Sequence, residues 1–183
     1  MSSTQNSGLG HGTVGAPQGH VEEQIYPAKA AENEASNSQN HFPGGRTREE
    51  YSALARDPAR GAKVDYKGQK ERSIVLDLES QGRIGKVIRD PQANKGADFI
   101  DTTSHKKWDV KSPVSHPKGH RSPRKGAFEI SRMMANVRKE IARGHSVILD
   151  TRRLTKEDRH SLKSAIETED LKEHVIWYDK RGE

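Results

Sequence analysis

Residues 96–113 read GADFIDTTSHKKWDVKSP. Two short runs, ADFID (97–101) and KWDVK (107–111), alternate apolar and polar residues and are separated by TTSHK, a connection of hairpin length. Alternation with a period of two sends successive side chains to opposite faces of a sheet, so the stretch predicts two antiparallel strands. In the second strand Asp109 and Lys111 leave on one face, and Trp108 and Val110 on the other. Pairing brings either Asp98 or Asp101 toward Asp109, while Phe99 and Trp108 help build the core.

The hairpin sits inside a longer alternation. Upstream, TREE (47–50) matches a capping box, with Thr47 accepting from the backbone near Glu50 and Glu50 reaching back, and starts a short helix to about Ala55. In KGQKERSIVLDLESQG, Ile74, Val75 and Leu78 recur at helical spacing and Gly82 is a stop, which predicts a helix over 69–81. IGKVI (84–88) reads as a first strand. Downstream, Ile130, Met133, Met134, Val137 and Ile141 share one helical face, with the two methionines in the core and Gly144 as C′ residue. Strand SVILD (146–150), a helix from the Thr155 cap to about Ile166 and strand HVIWY (174–178) follow. The order from residue 69 is α-β-β-β-α-β and then α-β, which implies an α/β fold whose mixed sheet is covered by helices.

Composition bounds the rest. The chain has 183 residues, 30% of them hydrophobic, and a mean hydropathy of -1.02. Residues 1–45, rich in Ser, Gly, Asn, Gln and His and without sustained apolar period, read as a disordered tail or linker, leaving 46–183 as one domain. There is no cysteine, which excludes disulfides and thiolate-held metal. No run approaches the roughly 18 apolar residues of a membrane span, and the first twenty residues lack the pattern of a secretory signal. Lys and Arg total 32 against 26 Asp and Glu, a net charge of +6 that favours a polyanionic partner.

The chemistry converges on the hairpin. Carboxylates gathered on one spot repel each other and persist when a divalent cation neutralises them; oxygen ligands of this kind suit Mg²⁺ or Mn²⁺. A lysine beside them stabilises charge growing on a phosphoryl oxygen. Asp98 or Asp101 together with Asp109 and Lys111 therefore have the parts for metal-assisted phosphodiester hydrolysis, and Glu71 on the preceding helix offers a further carboxylate. D-x-K also occurs as a solvated strand face in a chain with 32% charged residues. Lys118, Arg121, Arg124 and Lys125 lie in a Pro/Gly/Ser loop directly after this strand, where they can follow a phosphate backbone. His116 and His120 have a zinc-like spacing but no third ligand, and with His105 they offer metal-independent acid–base chemistry or simply solvated loop positions. Asp150 and Thr151, at the end of a strand, border the same region.

The helix carrying Glu71, then GADFID, then WDVKS in α-β-β-β-α-β order resembles the PD-(D/E)xK nuclease superfamily, the restriction-endonuclease-like fold. More narrowly, WDVKSP followed by a basic loop, a long helix, SVILDT, a further helix and VIWY is similar to the C-terminal tRNase toxin domains of contact-dependent growth inhibition proteins. The resemblance spans residues 69–178. It implies a catalytic set of Glu71, Asp98, Asp109 and Lys111, with the metal held by Asp98, Asp109 and Glu71; Glu79 competes with Glu71 for the helical position. The proline usual before the first aspartate is Ala97 here. The resemblance further implies an Mg²⁺- or Mn²⁺-dependent endoribonuclease acting on RNA, often tRNA. Such a domain is delivered in a larger effector to a competitor's cytoplasm, is blocked at home by a cognate immunity protein, and is monomeric when free. A DNA endonuclease of the same superfamily and a non-catalytic nucleic-acid-binding module are the alternatives.

Overall fold

The computed structural model of the protein describes residues 42–117 and 125–179. Among these, α1 (Arg48–Ala53), α2 (Tyr66–Ser80), α3 (Ile130–Ala142) and α4 (Lys156–Thr168) accompany strands β1 (Val87–Arg89), β2 (Phe99–Asp101), β3 (Lys107–Lys111), β4 (His145–Asp150) and β5 (Val175–Tyr178). The strands form one mixed five-stranded sheet in the order β1-β2-β3-β4-β5. β1 to β3 are an antiparallel meander, and β3, β4 and β5 run parallel. Parallel neighbours need a crossover, and α3 and α4 supply the two crossovers.

Alternation along the strands divides the apolar residues between two cores. Ile74, Val75 and Leu78 of α2 pack with Phe99, Trp108, Val110, Ile148 and Tyr178 on one face. Met134 and Val137 of α3 and Leu162 and Ile166 of α4 pack with Val147 and Leu149 on the other. Every residue of β4 is buried, as expected of a central parallel strand covered on both sides. Met133 is partly buried against the second core, whereas Ile130 is 36% exposed at the first turn of α3.

The element boundaries differ from expectation where a local polar contact overrides the pattern. α2 starts three residues before residue 69, because the Asp65 carboxylate accepts from Gly68 N at 2.7 Å and caps it. Gly68 inside the first turns is required by packing, since a Cβ there would lie 2.1 Å from the Ala55 carbonyl oxygen. The first strand is Val87–Arg89 rather than 84–88: Gly85 N donates to Asp101 Oδ2 at 2.7 Å and so leaves the ladder, which begins at Val87↔Asp101. β2 likewise begins at Phe99 rather than 97.

The expected tail, residues 1–45, lies outside the described residues except for its last four. Those are folded: Phe42 and Arg46 exchange backbone hydrogen bonds, and Phe42 stacks on Tyr51. Arg46, 1% exposed, donates to both oxygens of Glu79 at 2.7 Å and to the Val87 carbonyl at 2.9 Å, tying this segment to the far end of α2. No helix among the described residues is long and apolar enough to cross a membrane.

Candidate active site

The β2–β3 ladder runs through Ile100↔Lys107 and Phe99↔Trp108 and then changes character. Asp98 N still donates to the Trp108 carbonyl at 3.0 Å, but the next amide of β3, Val110 N, donates to the Asp98 side chain at Oδ2, 2.7 Å. A carboxylate takes the place of a backbone carbonyl, so the strands part at Asp98 and Asp109. The first turns of α2 run over this fork. A cleft of about 450 Å³ results, lined by Tyr66, Lys67, Lys70 and Glu71 from α2 and by Asp98, Asp109 and Lys111 from the fork.

Within it, carboxylates are crowded and poorly solvated. Asp98 is pushed up to about 7, first by burial and then by repulsion from Glu71 and Asp109, against the opposing Val110 N–H and Arg89. Asp109 is also raised by burial, although the Lys111 ammonium 2.5 Å from its Oδ1 works the other way and Glu140 adds to the rise. Burial works against the charge on Lys111, but Asp109 and Glu140 outweigh it and raise its affinity for the proton. Glu71, 2% exposed, accepts from Arg89 Nη2 at 2.9 Å on Oε2, with Lys67 Nζ 3.1 Å from Oε1.

Glu71, Asp98, Asp109 and Lys111 are thus brought to one cleft. Glu79, two turns further along α2, is spent on Arg46 and on Val87 N and does not line the cleft, whereas Glu71 does. Asp101, the other candidate to approach Asp109, instead accepts from Gly85, Thr103 and Ser104 N at 2.7–2.9 Å, organising the hairpin turn. His105 lies in that turn at φ 59°, at the opposite end of the hairpin from Asp98. Lys118, Arg121, Arg124 and His120 lie outside the described residues. Lys125 is exposed in the turn before α3 and does not line the cleft.

Four contributors were missed in the sequence. Arg89 lies just past the expected first strand, yet its side chain is 6% exposed and lies 2.9 Å from Glu71, 3.5 Å from Asp57 and 3.8 Å from Asp98. Glu140 is buried on α3, 3.4 Å from Lys111 Nζ and 3.1 Å from His145 Nδ1. Its signal was present: it follows Val137 by three residues, so a carboxylate stands in the apolar stripe. Lys67 and Lys70 rim the cleft, Lys70 bound to Asp150 at 2.9 Å.

The donor chemistry fits a hard divalent cation at Asp98 and Asp109. Both supply oxygen, both are raised by burial and neighbouring negative charge, and Asp109 Oδ1 is buried without an aligned hydrogen bond. Glu71 is turned to Arg89 instead, and among the described residues no three His, Asp or Glu side chains close into a metal-holding group. Compared with protein-family models, with curated proteins and with solved structures, the chain matches none.

Proposed function

We propose that this protein is a metal-dependent endoribonuclease of the PD-(D/E)xK type, a toxin domain that cleaves tRNA. The reading rests on the fork at Asp98, which sets a proton-avid, half-buried carboxylate beside the Asp109–Lys111 pair in an open cleft rimmed by lysines. The meander followed by a parallel crossover, with Glu71 on the helix before it, agrees with the α-β-β-β-α-β order that carried the resemblance. The departure at Ala97 has a physical counterpart. Its N–H donates to Asp90 Oδ2 at 3.1 Å, a bond that proline cannot make.

Hydrolysis adds water across one phosphodiester: a P–O bond to the water oxygen forms, the P–O bond to the leaving oxygen breaks, and that oxygen takes a proton. Asp98 and Asp109 would hold Mg²⁺ or Mn²⁺. Such an ion, when bound, neutralises the carboxylates and supplies an acidified water. The Lys111 ammonium, steadied by Asp109 and Glu140, faces the cleft to stabilise charge growing on a phosphoryl oxygen. Arg89 holds Glu71 in place by direct donation to its carboxylate. Lys67 and Lys70 draw the phosphate backbone to the rim.

The proposed biological setting is a monomeric domain of a delivered effector, acting in the target cell's cytoplasm and restrained at home by an immunity protein. The test is a denaturing gel of total tRNA and of plasmid DNA, incubated with the protein in Mg²⁺ or EDTA, alongside Asp109→Asn. Discrete RNA fragments that need both metal and Asp109 are expected. Nicked plasmid with intact tRNA would reassign the site to DNA, and cleavage persisting in EDTA would remove the metal from the mechanism.

A further inference from the structure

A second concavity adjoins the cleft and shares two of its residues. Tyr66, Gln69, Lys70 and Ser73 of α2 and Arg152 and Arg153 of the β4–α4 loop enclose about 480 Å³, and Tyr66 and Lys70 line the fork cleft as well. On α2 the positions 66, 69, 70 and 73 fall at helical spacing, so they form one stripe leading away from the fork.

Three observations give this stripe a chemistry. Tyr66 is 82% exposed, the greatest exposure of any large apolar side chain among the described residues, and it stands where the two concavities meet. Its partners are cationic: Lys70 and Arg152 share the single carboxylate of Asp150, which leaves an excess of positive charge, and Arg153 is exposed. Gln69 and Ser73 add neutral hydrogen-bonding groups without negative charge. An exposed ring set among lysines, arginines and amides suits an unstacked base whose flanking phosphates need neutralising. A duplex, with its bases stacked inside, offers the ring no face.

We infer that this stripe is the track for a single-stranded segment of nucleic acid leaving the fork, with one base stacked on Tyr66 and the adjoining phosphates on Lys70, Arg152 and Arg153. The inference rests on the nuclease reading for its direction from the fork. It adds a substrate class, an unpaired strand such as a loop or end, and it places strand binding on α2 and the β4–α4 loop.

Fluorescence anisotropy tests it with labelled single strands of RNA and of DNA and the corresponding duplexes, using the Asp109→Asn chain so that nothing is cut. Both sugars are probes because they share the base and phosphate chemistry. Single strands are expected to bind more tightly than duplexes. Tyr66→Ala should weaken single-strand binding roughly tenfold, with Tyr66→Phe close to the parent. Arg153→Gln should lower the salt slope by about 0.7. Tyr66 and Arg153 are exposed, so neither change threatens the fold. Duplex binding as tight as single-strand binding, or indifference to Tyr66→Ala, would overturn the inference. Cleavage by the parent that is unaffected by Tyr66→Ala overturns the track alone. Tyr66-dependent binding with no cleavage in Mg²⁺ supports the track and overturns the nuclease. Absence of binding to any probe overturns both.

Discussion

Asp98, just before β2, and Asp101, at its end, stand three residues apart, the first half-buried and the second buried, and their environments are opposite. Burial pushes both up. At Asp101 the amides of Ser104, Gly85 and Thr103 outweigh it and bring the group below its ordinary value. At Asp98 one amide and a guanidinium 3.8 Å away face two neighbouring carboxylates, and the group rises to about 7. Backbone donors make a carboxylate part of the fold. Left against its own kind in an open cleft, it costs stability and is available for chemistry.

The largest effect that can break this contrast is on cleavage. Lys111→Met should lower the rate constant for tRNA cleavage by roughly 10²–10³-fold, the usual loss when one donor to a developing oxyanion is removed. Asp101→Asn, which touches nothing in the cleft, should leave the rate of the folded fraction unchanged. Single-turnover cleavage at a temperature where both variants are folded measures the difference. Equal losses would mean that the two ends of the hairpin are not functionally distinct.

Stability should divide the other way. Asp101→Asn keeps one acceptor oxygen but sets an NH₂ against backbone N–H groups, and should cost about 1–3 kcal/mol by denaturant titration. Asp150 belongs with Asp101 in this respect. Burial raises it, but hydrogen bonds from Arg152 and Lys70 win and lower it from 3.8 to about 2. A depressed folded value means stability that is complete above the unfolded value and lost as pH falls from about 4 through about 2, here on the order of 2 kcal/mol. Thermal melts from pH 5 down to pH 2 should show this loss in the parent, with Asp150→Asn less stable at pH 5 and flatter in that window.

The same division explains what was legible in the sequence. KWDVK was readable to its ends, because Trp108 and Val110 face the apolar core while Asp109 and Lys111 face the cleft, which keeps the period of two. Asp109 and Lys111 could be named from their spacing on one strand face, whereas Asp98 and Glu71 were singled out over Asp101 and Glu79 only by the resemblance. The first strand was misplaced because Gly85 gives its N–H to a side chain, a contact that has no periodicity. The choices between Glu71 and Glu79 and between Asp98 and Asp101 turn on partners distant in sequence, Arg46 for one and Gly85 for another. Arg89 was invisible for the same reason: only the folded chain sets Glu71, Asp57 and Asp98 around it.

The Mg²⁺ shift, the smallest expected effect, sharpens the comparison most. Asp98→Asn keeps an oxygen for Val110 N and removes a charge that Glu71 and Asp109 oppose, so it should stabilise the metal-free protein. The sign follows from the raised folded value. Below about pH 4 the group is protonated whether folded or not, and the variant gains nothing. The gain grows as the unfolded chain ionises above pH 4, and it levels off above about pH 7, where the folded group ionises too. Mg²⁺ at tenfold over its dissociation constant should then raise the stability of the parent by about 1.4 kcal/mol, because it binds the folded state alone, and should raise Asp98→Asn less. At Asp101 the same ion should do nothing, since three amides already hold that carboxylate. Melts of the parent, Asp98→Asn and Asp101→Asn at pH 8 with and without Mg²⁺ read all of this without any substrate. Equal Mg²⁺ shifts in the three would place the ion away from the fork. A parent-like shift in Asp101→Asn, with a smaller one in Asp98→Asn, would tie the cation to the carboxylate that the fold leaves unsatisfied.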